Sequence, residues 1–432
     1  MSRTALSVWG SICLWVSLGA SLPAFAQSFP LSLRAALEQA QAHNPQLLAA
    51  ERGVVLAQSG ISVAGVTPNP RLALDIPFGE AETKRTLTFE QPLELGGKRE
   101  ARLILANDQV RLAGVQLELL RWQIRTDVYR SYAELAIARA AREQAERTVG
   151  LNQRLVDITQ RRLATGDVAE AEVIQATFAL ERARQRLEPA TNRVRQANIR
   201  LDGLLGRAPN ESIQVEDRGV FNLSVEQHQP APVNQPPMPE LSTLQGLARR
   251  TRLDLALAEA QVRLGTDQLR LAQTLRVPDI ALAGGFIWDP VAQTTAATLG
   301  VRVDLPVFNN HQGEVDQAVA VQSVAQAQVE ALERQVESEV AAAYEDFTSA
   351  QRLLLRDRTV LLPQANRVLE LAQKSYQAGQ SGITDVLVVQ QSVQDQRDAY
   401  YADVLTYQSA LNTLERAVNQ PLMELPNAAS PP

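Results

Sequence analysis

Aromatic residues make up only 5% of this 432-residue chain, which holds one cysteine, three histidines and three methionines. Length alone would suggest two or three globular domains. The aromatic shortage argues against them. Ala, Leu and Val supply much of the 45% hydrophobic fraction, and Gln, Glu and Arg fill most of the rest. That profile belongs to long helices and coiled coils. A single thiol, Cys13, excludes a disulfide framework and a cysteine-ligated metal site. His43, His228 and His311 are far apart and show no helical ligand spacing, so no metal site and no cofactor are expected. No nucleophile elbow or zinc-protease motif is present, so no catalytic residue and no enzymatic activity are expected. Positive charge is also in deficit. The net charge of -6 gives no reason to expect a nucleic-acid partner.

What is present begins with a secretory signal, expected over 1–26. Arg3 supplies the positive end, Ala5 to Ala20 the apolar core, and Ala24-Phe25-Ala26 the small-x-small cleavage site. The mature chain then starts at Gln27, and Cys13 is removed. Cys13 lies too early, without small residues just before it, to be a lipid-attachment site. No later run is read as the roughly 20 apolar residues a membrane helix needs.

The chain repeats itself. Asn44 to Leu74 aligns with Arg252 to Leu282, matching Glu51 with Glu259, Val54 with Val262 and Pro70 with Pro278. "VYRSYAELAIA" (128–138) matches "VAAAYEDFTSA" (340–350), and "LATGDVAEAEVIQA" (163–176) matches "YQAGQSGITDVLVV" (376–389). The expected units are a first repeat over 27–205, a Pro-rich linker over 206–240, a second repeat over 241–420 and a tail over 421–432. Each repeat has one order: a helix (about 33–66 and 241–277), two short alternating runs, a rod (about 97–164 and 312–377), a Gly-bearing turn and a last helix. At 1.5 Å per residue a rod of roughly 65 residues is about 100 Å long. Its 3–4 apolar spacing (Leu103, Ala106, Val110, Ala113, Leu117, Leu120, Ile124, Val128) makes a seam for side-by-side helix packing. Gly150 and Pro363 hold matching places in the two rods, which predicts a shared bend.

The four alternating runs, about 71–78, 84–91, 279–288 and 296–305, read as strands. One face carries Leu72, Leu74, Leu87, Phe89, Leu282, Phe286, Leu299 and Val301. The other carries Asp75, Glu90, Arg302 and Asp304 among small residues. Helices committed to a long rod leave that apolar face uncovered, and lipid would cover it. Four strands cannot close a barrel, and open edges are not tolerated in a bilayer. Several copies must close it together, with eight strands from two or twelve from three.

"TFEQPLELGGKR" (88–99) imitates a phosphate-binding loop. It fails the pattern, because Pro92 stands where a Gly is needed and Arg99 follows the lysine in place of Ser or Thr. Its counterpart "RVDLPVFNNHQG" (302–313) keeps strand and proline. Both read as strand-to-rod joints. The strands are expected to end at Pro92 and Pro306. Gly96 and Gly97 turn the chain in one joint, and Asn309 and Asn310 cap the helix in the other. Lys98 and Arg99 sit at a helix start, where positive charge is disfavoured, so they are expected to meet lipid phosphates or nearby acids.

With these features in hand, the chain resembles the TolC-type outer-membrane efflux factors over nearly all its mature length. The resemblance implies a mainly α fold with a small β part. Three copies form a twelve-stranded transmembrane β-barrel that continues into a long periplasmic α-helical barrel. It implies a homotrimer in outer-membrane lipid, docked on a periplasmic adaptor (membrane fusion) protein and an inner-membrane pump. "EQPLELGGKRE" is most similar to the branch serving heavy-metal cation efflux by resistance-nodulation-division pumps. The family's turn pattern implies a periplasmic gate at Tyr376 and Asp385, with Glu172 equivalent to Asp385 in the first repeat. Val388 replaces a second acid. The turn tips Gly166, Asp167, Gly379, Gln380 and Ser381 would face the adaptor. Asp385 is also read as an ordinary acid in a helix's first turn. Drug or polypeptide export, and a periplasmic coiled-coil tether without a pore, remain alternative readings.

Overall fold

A computed structural model describes residues 31–77, 84–209, 213–215, 223, 225 and 238–422. The expected signal, most of the Pro-rich linker and residues 423–432 lie outside the described residues, as does Phe78.

The first half runs α1 (Leu33–His43), α2 (Pro45–Ala64), β1 (Arg71–Asp75), β2 (Arg85–Leu93), α3 (Lys98–Ala164) and α4 (Glu170–Leu205). The second runs α5 (Leu241–Thr251), α6 (Leu253–Thr274), β3 (Ile280–Asp289), β4 (Thr294–Val303) and α7 (Gln312–Arg356). It ends with a π-helical turn (Asp357–Leu361), α8 (Leu362–Gln377) and α9 (Ile383–Val418).

The leading helix of each repeat, expected whole, is broken. Asn44 leaves the helical region (φ -65°, ψ 123°), and its side chain accepts from the N–H groups of Gln46 and Leu47. Pro45 then occupies the first helical position, where its missing N–H costs nothing. The Asn44 amide also donates to Leu204 O at 2.9 Å, tying the break to the end of α4. Arg252 repeats the backbone (φ -66°, ψ 121°) without a side-chain cap. It is held instead by Glu339 at 2.6 Å and by Asp254.

The rods differ from expectation in one respect. α3 is continuous through Gly150, whereas the second rod is interrupted by the π-turn just before Pro363. A proline lacks the N–H and clashes with the carbonyl four residues back, so the chain accommodates it with a wider turn. Glycine makes no such demand. Of the seam residues, Ala106, Leu117, Ile124 and Val128 are buried, as are Val336, Val340, Ala343, Phe347 and Ala350 in the second rod. The core draws on both halves. Tyr132, Leu201, Phe347, Tyr400 and Leu414 lie in one cluster, and the Tyr132 hydroxyl donates to Leu31 O at 2.7 Å.

The strands form one antiparallel meander in the order β1-β2-β3-β4. Its register places Leu72 opposite Phe89, Leu87 opposite Phe286, and Leu282 opposite Val301. Directly opposed residues share a face, so the apolar residues form one continuous band, with Leu299 93% exposed. β2 does not stop at Pro92. It runs to Leu93, and Pro92 pairs with Ala281. Pro92 lies beyond Glu90, where β1 pairing ends, so one side of β2 is unpaired there and a missing donor is tolerated. β4 stops at Val303, short of Pro306.

α2 corrects the reading of the hydrophobic runs. Its most apolar 18-residue window averages a hydropathy of 1.2, enough by length and composition to cross a membrane, and only 6% of that window is buried. Glu51, Arg52, Gln58 and Ser59 interrupt it in sequence. It is the edge helix of the layer α2–α3–α6–α7, in which each helix packs on the next.

Candidate functional site

Two places carry the chain's special geometry, the strand-to-rod joint and the far ends of the rods. At the first joint Gly96 and Gly97 both take left-handed backbone (φ 72° and 76°). A side chain at Gly96 would collide with Val277 at 2.7 Å, so that position admits no other residue without displacing the second half. Lys98, 8% exposed, donates to Asp279 Oδ1 at 2.7 Å, and the same oxygen accepts from Leu95 N–H at 3.0 Å. Arg99 donates to Gly65 O at 2.7 Å, and Arg102 reaches Ala64 O, Val66 O and the Glu94 carboxylate. Arg99 and Arg102 therefore serve the C-terminal end of α2, where positive charge is favoured, while Lys98 serves Asp279 ahead of β3.

The second joint is built differently. His311 takes the left-handed cap position held by Gly97 in the first (φ 58°), with no side-chain cap on α7. Asn309 does not cap the helix. It accepts from His311 N–H at 3.0 Å, closing a tight turn before the helix begins. Asn310 makes no cap either.

At the far end both rods close with the same motif. Asp167 N–H bonds Arg162 O and Gly166 N–H bonds Leu163 O. Gln380 N–H bonds Ser375 O and Gly379 N–H bonds Tyr376 O. Gly166 (φ 79°) and Gly379 (φ 72°) supply the left-handed residue this helix end requires. The two tips pack together through Leu155, Val156, Ala176, Leu180, Tyr376, Ile383 and Val386. Thr384 donates to Gln175 across them at 3.1 Å.

Tyr376 is 1% exposed, its hydroxyl 3.3 Å from Thr159 Oγ1 and its ring under the Arg162 guanidinium at 5.0 Å. Asp385 is exposed in the first turn of α9, and Gln380 is exposed at the tip. Glu172 is half-buried, with one carboxylate oxygen shielded and unpartnered, and the Ser381 hydroxyl is likewise shielded. The structure thus gathers Tyr376 with Thr159, Arg162 and the Gln175–Thr384 pair, while Asp385 faces solvent. Thr159, Arg162 and Thr384 escaped the sequence reading, because their partners lie more than 200 residues away and no local spacing marks them. Among the described residues, no group of three or more His, Cys, Asp or Glu is placed to hold a metal ion.

On the polar face of the sheet, Glu90 meets Arg71 at 3.9 Å and pairs with Arg302 across β3. Opposite it, the exposed apolar band ends in Arg85 stacked on Trp288 at 5.0 Å, an aromatic and a cation suited to a membrane–water boundary. β1 and β4 keep open edges, as do α2 and α7. A sheet with a lipid-type face and open edges requires further copies.

The family model for outer membrane efflux proteins matches residues 36–207 and 244–420, once in each half. The chain belongs to the outer membrane efflux protein family. It is 28% identical over 90% of its length, and 90% of the relative's, to the cobalt-zinc-cadmium resistance protein CzcC of Cupriavidus metallidurans. Its fold is similar to that of the outer membrane protein VceC of Vibrio cholerae, with TM-score 0.70 and 21% identity over 90% of this chain and 97% of that one. It is also similar to CusC, with TM-score 0.72 and 18% identity over 90% and 93%. This outer membrane efflux protein is a channel subunit that spans the outer membrane and reaches into the periplasm. It assembles as a trimer and works with an adaptor and an inner-membrane pump. The open edges close in that trimer: four strands from each of three copies complete the barrel, and closing the layer α2–α3–α6–α7 into a ring requires α7 of one copy to face α2 of the next.

Proposed function

We propose that this channel is the passive exit duct of a divalent heavy-metal cation efflux system. The observation that carries the reading is the 28% identity to the cobalt-zinc-cadmium resistance protein across nine-tenths of both chains. The geometry is compatible with it. A duct works by being wide, wet and weakly interacting, and the exposed carboxylate of Asp385 at the periplasmic end favours cations over anions. Three copies would present three such carboxylates around the axis. The left-handed turns at Gly166–Asp167 and Gly379–Gln380–Ser381 are the proposed adaptor contacts, and Tyr376 is proposed to stiffen the tip under them.

Deleting the gene in its host and measuring tolerance to cobalt, zinc and cadmium tests the cargo. Loss of tolerance, restored by the intact gene, is expected. Unchanged metal tolerance with new sensitivity to drugs, or with lost export of a polypeptide, would overturn the metal reading and leave the channel intact.

A further inference from the structure

The duplication gives the first joint a counterpart in the second, residue for residue. Gly97 corresponds to His311, both left-handed caps, so Glu94 corresponds to Phe308. In the leading helices, where Pro70 corresponds to Pro278, Leu271 corresponds to Val63 and Val277 to Asn69.

Within one copy, the first joint packs on the second half. Gly96 presses on Val277, and Glu94 shares an open groove of about 750 Å³ with Arg102, Val63, Val66 and, from α6, Leu271. Among the described residues the second joint has no such partner, because β4 and α7 lie at the open edge of the layer. Phe308 there is 103% exposed, Val307 74% and Leu305 73%. On the opposite open edge, Val63 is 75% exposed and Val66 60%. Two uncovered apolar patches thus stand at the two edges that the trimer brings together.

We propose that Phe308 of each copy seats against Val63 at the end of α2 in the next copy, making three apolar latches at the junction of barrel and tube. This rests on the trimer and extends it to a particular contact. Joints inside a copy are then held by ions, Lys98 to Asp279 and Glu94 to Arg102, while joints between copies are held by apolar surface. The division suits assembly. Ion pairs set the geometry of a single chain as it folds, and exposed apolar residues wait for a second copy to cover them.

Cysteines at both positions test the contact, since residues 27–432 contain no other thiol. The chain carrying Val63→Cys and Phe308→Cys is purified in detergent, its native mass compared with the unaltered trimer, and treated with copper phenanthroline as oxidant. Covalent dimers and trimers on non-reducing gels, absent from either single variant, are expected. An intact trimer by mass without cross-links overturns the latch, whereas loss of the trimer in the unaltered chain would instead overturn the assembly. Should the double variant not assemble, a benzophenone amino acid at position 308 reads the same neighbour. Capture of the peptide bearing Val63 from another copy supports the proposal. Capture of lipid, or of a peptide from the same copy, overturns it.

Discussion

The Lys98 ammonium lies 2.7 Å from Asp279 Oδ1 and ties the first residue of α3 to the approach to β3. The pair joins the two halves of the chain where sheet becomes rod. The Lys98 side chain is 9% exposed and that of Asp279 43%. Asp279→Ala would leave a buried cation unpaired. It is expected to destabilise the trimer by about 1–3 kcal/mol per copy, less than for a fully buried pair. Lys98→Met combined with Asp279→Asn removes charge and partner together and should cost less than Asp279→Ala alone. Dissociation temperatures of the detergent-purified trimers check both. Equal losses for the two variants would show that the contact is mere packing.

Leu299 faces outward at 93% exposure, and Thr298 beside it on β4 faces the opposite side. Leu299→Arg puts charge on the lipid face and is expected to cost about 2–4 kcal/mol near the midplane. Membrane-inserted trimer should fall sharply on fractionation. Thr298→Arg is expected to insert normally and to alter conductance instead. Similar behaviour of the two would contradict the assignment of faces.

Much of this was legible in the sequence, for a physical reason. Alternation in "TLGVRV" and the 3–4 spacing from Leu103 to Val128 are local, and so they fix strand and rod before any tertiary contact is known. Duplication then supplied the order of elements. Contacts across the duplication were not legible. Lys98 signalled a need for an acid, but Asp279 is one of many acids and lies 181 residues away. The break at Asn44-Pro45 had a signal that went unused, a side chain that caps followed by proline at the first helical position. The π-turn before Pro363 had half a signal. The proline announced a disturbance, but only the packing of α8 on α9 decides that the rod widens there instead of ending.

That π-turn carries a titratable group. Burial first, and then the neighbouring Asp403 carboxyl, push Asp357 from 3.8 up to about 6. Asp357 also accepts from Gln396 at 3.1 Å. The fold therefore holds a proton that the unfolded chain releases near pH 4. Stability from this group is present below that pH, is lost as pH rises from about 4 to about 6, and is constant above. Asp357→Asn should stabilise the trimer at pH 8 by about 1–2 kcal/mol per copy, and by less at pH 4.5. Dissociation temperature measured across that range checks the sign. Greater stabilisation at the acid end would refute it.

Tyr376 and Asp385 stand at the same tip and should answer mutation differently. Tyr376 is buried against Thr159 and Arg162, so Tyr376→Phe removes one hydroxyl contact, worth about 0.5–1.5 kcal/mol. It should loosen the tip with little change in ion preference. Tyr376→Ala opens a cavity, costs about 3–5 kcal/mol, and should raise open-channel noise in planar bilayers. Asp385 is exposed and bonded into no core, so Asp385→Asn is expected to leave the dissociation temperature unchanged. It should instead lower the cation-to-anion permeability ratio, most strongly at low salt, where screening is weakest. If both Asp385→Asn and Tyr376→Phe left selectivity and noise untouched, the tip would be structural.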